Sequence, residues 1–171
     1  MKNKITVLGA GSWGTTLAVI LSKKTELTVT LWSAFKDQVN EIIKKRENEI
    51  FLPQVKIPDN LLVTDDLDRA LASDIIIIAI PMQYMRDVLS KLVDYKFILD
   101  KKIFLSVVKG IEISSLKPST EIIKEVLSLK DKNVAVLSGP TIAKEVAQGM
   151  PTAAIVSSYS KDNTFKVQEI F

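Results

Sequence analysis

Gly9-Ala10-Gly11-Ser12-Trp13-Gly14 follows the apolar-rich run Lys4-Ile5-Thr6-Val7-Leu8 and opens a stretch in which Leu17, Ala18 and Leu21 share one helical face. A bare G-x-G-x-x-G is a common glycine-rich turn. Between a first strand and a first helix it constrains the chain to a βαβ start with a dinucleotide-binding turn. Each glycine has its own task there. Gly9 permits the tight turn out of the strand, Gly11 lets a pyrophosphate approach the backbone without meeting a Cβ, and Gly14 lets the helix pack on the sheet. The free N–H groups and positive dipole end of the helix face the phosphates.

The rest of the chain supports an α/β reading. Apolar β-rich runs alternate with helical patterns, which is the mark of a parallel sheet with crossover helices. Strands are expected at Leu27 to Trp32, Leu61 to Val63, Ile75 to Ile80, Ile103 to Val108, Val134 to Leu137 and Ala153 to Val156. Helical spacing joins Phe35, Val39, Ile42 and Ile43, then Met85, Val88, Leu89 and Leu92, then Ile122, Ile123, Val126 and Leu127, and a short helix holds Ile142, Val146 and Ala147. Asp65 or Asp66 caps a brief helix through Leu71. Pro53 and Pro58 predict a loop. Ile75 to Ile80, apolar at every position, is expected at the sheet centre with both faces covered.

With 171 residues, the chain suits one such domain, expected over residues 1–160. The helical pattern from Lys161 reaches Phe171 without a stop signal, so residues 161–171 are expected to begin a cut-off helix or a linker to a following domain. The net charge of +3 is spread among interleaved acids, as in Lys44-Lys45-Arg46-Glu47, which argues against nucleic acid as a partner. No apolar run is long enough for a signal segment or a membrane span, so a soluble, unexported protein is expected. Zero cysteines exclude disulfides, thiolate metal sites and a cysteine nucleophile, and fit a reducing cytoplasm. Zero histidines leave Lys, Asp, Glu or Tyr as a general base, or a base from outside this segment, and no metal site is expected.

Ligands on open α/β sheets bind beyond the carboxyl ends of the strands. The second strand ends in Trp32-Ser33-Ala34, and the first acid after it is Asp37. A carboxylate for the ribose 2′-OH is therefore missing and Lys36 is close in sequence, which leans the cofactor towards NADP over NAD. Lys109 closes an apolar strand before Gly110, where its ammonium either emerges at the cofactor edge or merely snorkels to solvent. In Ser138-Gly139-Pro140-Thr141, Thr141 is a plausible helix N-cap, and the turn serves either capping or anion binding.

Taken together, Gly9-Ala10-Gly11-Ser12-Trp13-Gly14-Thr15, Leu31-Trp32, Phe51-Leu52-Pro53, Val108-Lys109-Gly110-Ile111-Glu112, and Ser138 to Val146 with Pro151-Thr152-Ala153 resemble NAD(P)-dependent glycerol-3-phosphate dehydrogenase over nearly the whole chain. The resemblance covers that family's N-terminal half. It implies a doubly wound, Rossmann-like α/β domain with a mostly parallel sheet and helices on both faces, NADP or NAD as cofactor, and a phosphorylated three-carbon substrate. It also implies interconversion of dihydroxyacetone phosphate and sn-glycerol 3-phosphate in glycerophospholipid synthesis. Ser12 and Trp13 would touch the dinucleotide and Lys109 both cofactor and substrate, with Gly139 and Thr141 on the substrate side and Ala143 on the cofactor side. The family's second, helical domain would supply the proton-accepting lysine, and a homodimer formed through it is compatible with the resemblance. Many members carry Arg or His where this chain has Ala34, and Lys36 is the substitute available. Two other readings are a free-standing NAD(P)-sensing module without catalysis and a two-domain dehydrogenase of another hydroxy or keto acid.

Overall fold

The computed structural model describes residues 3–171. Its seven-stranded sheet is built from β1 (Asn3–Leu8), β2 (Leu27–Trp32), β5 (Leu62–Thr64), β6 (Ile75–Ile78), β7 (Ile103–Ser106), β8 (Val134–Ser138) and β9 (Ile155–Ser158). The order is β5-β2-β1-β6-β7-β8-β9. All neighbours run parallel except β9, which pairs antiparallel with β8, Ser138 opposite Ile155. The sheet is thus mostly parallel and doubly wound, as the alternating pattern predicts. The strand order reverses between β1 and β6, so the crevice beyond their carboxyl ends is the ligand position of this architecture.

Helices α1 (Ser12–Ser22), α2 (Lys36–Lys45), α3 (Leu67–Ala70), α4 (Met82–Ser90), α5 (Lys96–Leu99), α6 (Ser119–Leu127) and α7 (Ala143–Ala147) connect the strands, and α8 (Lys161–Ile170) follows the last of them. Two apolar clusters form the core, one on each face of the sheet. The four isoleucines of β6 alternate between them: Ile75 and Ile77 pack with Leu17, Leu21 and Val167, while Ile76 and Ile78 pack with Met85, Leu89, Phe104 and Ile123. Removing one such side chain to Ala would cost about 2–5 kcal/mol. Asp66 caps α3, its carboxylate accepting from the amides of Asp68 and Arg69.

Two expectations are corrected. The stretch around Pro53 is not a loop but a two-stranded hairpin, β3 (Glu47–Asn48) with β4 (Leu52–Lys56). Pro53 is tolerated because the ladder has only one partner strand, and the register shift at Glu47/Asn48 erases any alternating pattern. The segment from Lys161 is helical, as its spacing predicts. As α8, capped by Ser160, it packs Val167 and Ile170 into the core. Lys109 does not close a strand, because β7 ends at Ser106 and Lys109 lies three residues into the loop.

Candidate functional site

β1 delivers the chain into the crevice at Gly9, whose φ of +115° only glycine adopts readily. Its amide donates to the Trp32 carbonyl at 2.9 Å, and a Cβ on it would lie 2.6 Å from the Ala79 oxygen, so the turn lies flat against β6. A Cβ on Gly14 would stand 1.9 Å from the Gly9 oxygen. That contact sets how closely α1 approaches the sheet. Gly11 differs from both, since a Cβ there would meet nothing within 4 Å. Its open side belongs to a cleft of about 530 Å³ lined by Gly11, Ser12, Trp13 and Ala143, by Ala79 to Met82, and by Val107 to Lys109 and Thr141. The cleft sits at the β1/β6 reversal, where the first-turn amides of α1 have no partners within the helix.

The structure therefore brings Gly11, Ser12, Trp13, Lys109, Thr141 and Ala143 to one place. Gly9 and Gly14 stand behind them as the frame. Gly139 lies outside the lining, and a Cβ on it would meet the Ala153 oxygen at 2.4 Å, so it lets the turn after β8 pass close to the segment before β9. Lys36 does not line the cleft either. It is the exposed first residue of α2, next to exposed Ala34 and Phe35, with no carboxylate at the end of β2. Thr141 does not cap α7, because the residue before that helix is Ile142 and no side chain caps it. The Thr141 carbonyl instead accepts from Lys109 Nζ at 3.4 Å, across the cleft mouth, and the Thr16 hydroxyl lies 3.1 Å from the Ala143 carbonyl, tying α1 to α7.

Lys109 sits on a loop that is firmly held. Gly110 takes φ +97°, and the loop then bends through Glu112, whose carboxylate is nearly buried. Arg86 on α4 donates to both Glu112 oxygens at 3.0 Å and to Glu125 on α6 at 3.1 Å, while Ser115 donates to Glu112 at 2.5 Å. Arg86 and the Ser115 hydroxyl keep the Glu112 carboxyl low, at about 2. Gln83 adds bonds to the Ile111 carbonyl and the Ile113 amide. The Arg86 link joins residues 26 apart in sequence, and a single arginine in an amphipathic helix gives no sign of it.

Two more side chains escaped the sequence reading. Gln38 and Asn48 both donate to the Ala10 carbonyl, at 2.8 and 2.9 Å. Asn48 sits in the hairpin that Pro53 concealed, so no sequence signal placed it beside the glycine turn.

Residues 4–164 match the family described as NAD-dependent glycerol-3-phosphate dehydrogenase N-terminus. The chain belongs to that family. It is 43% identical over 171 residues to a glycerol-3-phosphate dehydrogenase [NAD(P)+] of Syntrophomonas wolfei, the match covering 98% of this chain and 49% of that protein. A namesake from Fusobacterium nucleatum is 41% identical, with 98% of this chain and 50% of the relative covered. Among solved structures, the glycerol-3-phosphate dehydrogenase of Coxiella burnetii superposes with a TM-score of 0.88 at 32% identity, covering 99% of this chain and 50% of that one. The chain thus spans about half the length of the family members it matches.

Proposed function

We propose that this chain is the dinucleotide-binding half of an enzyme that interconverts dihydroxyacetone phosphate and sn-glycerol 3-phosphate with NADPH or NADH, serving glycerophospholipid synthesis. The observation that carries the reading is the open side of Gly11, facing a cleft at the sheet's switch point with Lys109 on its far wall. The residues fit a dinucleotide. Gly11 leaves room for a pyrophosphate, and the amides of Ser12, Trp13 and Gly14 offer unpaired donors beneath a helix dipole. Trp13, Ile80, Pro81 and Met82 supply the apolar wall that shields a reacting ring from water.

When bound, the nicotinamide ring supplies or accepts the hydride. Lys109 presents a cation where negative charge develops on the substrate oxygen, and the Glu112–Arg86 pair restrains its loop. Thr141 serves the substrate side and Ala143 the cofactor side, while Gly139 serves the substrate side indirectly, by shaping the turn that carries Thr141. The proton acceptor and the grip on the substrate phosphate belong to a second, helical domain of the complete protein. NADPH is preferred, with Lys36 near the ribose 2′ position, because no carboxylate follows β2. A cysteine-free chain of this kind suits the cytoplasm.

The test is an assay of dihydroxyacetone phosphate reduction by the complete protein beside this 171-residue chain. Turnover is expected from the complete protein and little or none from the chain. Cofactor binding with no turnover in the complete protein would favour a sensing module, and turnover on a different keto acid would replace the substrate.

A further inference from the structure

Gln38, in the first turn of α2, and Asn48, at the end of β3, converge on one backbone oxygen. The Ala10 carbonyl, buried in the glycine turn, accepts from Gln38 Nε2 at 2.8 Å and from Asn48 Nδ2 at 2.9 Å. Asn48 is 3% exposed and its amide nitrogen also donates to the Thr15 hydroxyl at 2.8 Å, in the first turn of α1. Gln38 Oε1 in turn accepts from the Ser33 hydroxyl at 2.6 Å, and the Ser33 oxygen accepts from the Phe35 amide at 3.2 Å, at the end of β2. The hairpin, the end of β2 and the glycine turn are thereby joined through Ala10.

A trans peptide is planar, and its N–H points opposite to its C=O. Two donors on the Ala10 oxygen fix the plane of the Ala10–Gly11 peptide and turn the Gly11 amide to the side away from Gln38 and Asn48. A turn built of glycines has no side chains to define its own geometry, and glycine loses more conformational freedom on ordering than any other residue. Without the two amides, part of that ordering would fall on the binding step and weaken it.

We propose that Gln38 and Asn48 are positioning residues that preset the glycine turn for the pyrophosphate of a dinucleotide. The proposal rests on the dinucleotide reading above. NADPH and NADH are titrated into the 171-residue chain and into its Gln38→Ala, Asn48→Ala, Asn48→Asp and doubly alanine variants, each verified as folded by circular dichroism. Asn48→Ala is expected to raise Kd roughly tenfold and Gln38→Ala a few-fold. The double change should exceed the product of the two, because either donor alone still orients the shared oxygen. A purely structural role would lower the melting midpoint and leave Kd of the folded chain unmoved. If the Asn48 variants do not fold, Gln38→Ala and Gln38→Glu decide, since Gln38 is only half-buried. Folded variants that bind within twofold of the unaltered chain overturn the proposal. An unaltered chain that binds neither cofactor overturns the dinucleotide reading and this proposal with it.

Discussion

Gly11 sits at φ −77°, ψ −174°, an extended conformation open to any residue, and a Cβ there points into free space. Gly11→Val should therefore leave the fold intact while filling the pyrophosphate position, so that circular dichroism is unchanged and calorimetry detects no dinucleotide binding. Gly14→Ala should behave oppositely, failing at folding, since its Cβ would stand 1.9 Å from the Gly9 oxygen. At Lys109, replacement by Ala should weaken cofactor binding modestly in this chain and cost on the order of a hundredfold in kcat of the complete protein, as loss of a transition-state donor does. Lys109→Arg serves as the control that keeps charge and alters geometry. A fully active Lys109→Ala protein would reduce this lysine to a solvated side chain. Ala34→Asp should move preference towards NADH by about 1.5–3 kcal/mol, roughly tenfold to a hundredfold, read from the two cofactor affinities. Gly9, Gly11 and Gly14 were legible because each task depends on local backbone geometry. Asn48 was not, because its partner Ala10 is 38 residues away and the hairpin carrying it has no periodic pattern.

Among the elements, α4 and the loop after β7 act together. α4 contributes Met82 to the cleft wall and, through Arg86 and Gln83, clasps the loop that presents Lys109. The Glu112 carboxyl is lowered from 4.5 to about 2 by Arg86 first and Ser115 next. A depressed carboxyl stabilises the fold only while it is ionised in the folded state, so its contribution is full above about pH 4.5 and fades as pH falls towards about 2. Glu112→Gln should lower the melting midpoint at neutral pH and narrow its gap from the unaltered chain through that acid window. A constant gap from neutral pH down to about 2 would show that the Glu112 charge is not responsible. The sequence marked α4 through its amphipathic spacing and gave no sign of the clasp, because ion pairing between elements leaves no periodicity. It also left open whether Thr141 caps α7, since a threonine before a helical pattern carries the same signal whether or not its hydroxyl turns towards the backbone, and in the fold it does not cap that helix.

For the molecule as a whole, strand after strand was readable because a sheet covered on both faces demands continuous apolar runs such as Ile75-Ile76-Ile77-Ile78. The antiparallel direction of β9 was not readable, as pairing direction leaves no mark on a four-residue strand. Neither was the burial of Val167 and Ile170 of α8 in the core against the sheet. These features place the turn after β1 and the segment after β6 at one switch point, and the glycine turn there is complete within this chain. The dinucleotide should therefore bind to this chain alone. Trp13 lines the cleft and reports on it directly. Titration of NADPH and NADH against tryptophan fluorescence of the 171-residue chain, with Gly11→Val alongside, is the decisive measurement. Saturable quenching by the unaltered chain, tighter for NADPH and absent in the folded valine variant, is the expected result, whereas a folded chain that binds neither cofactor, or a valine variant that binds as well, would contradict it.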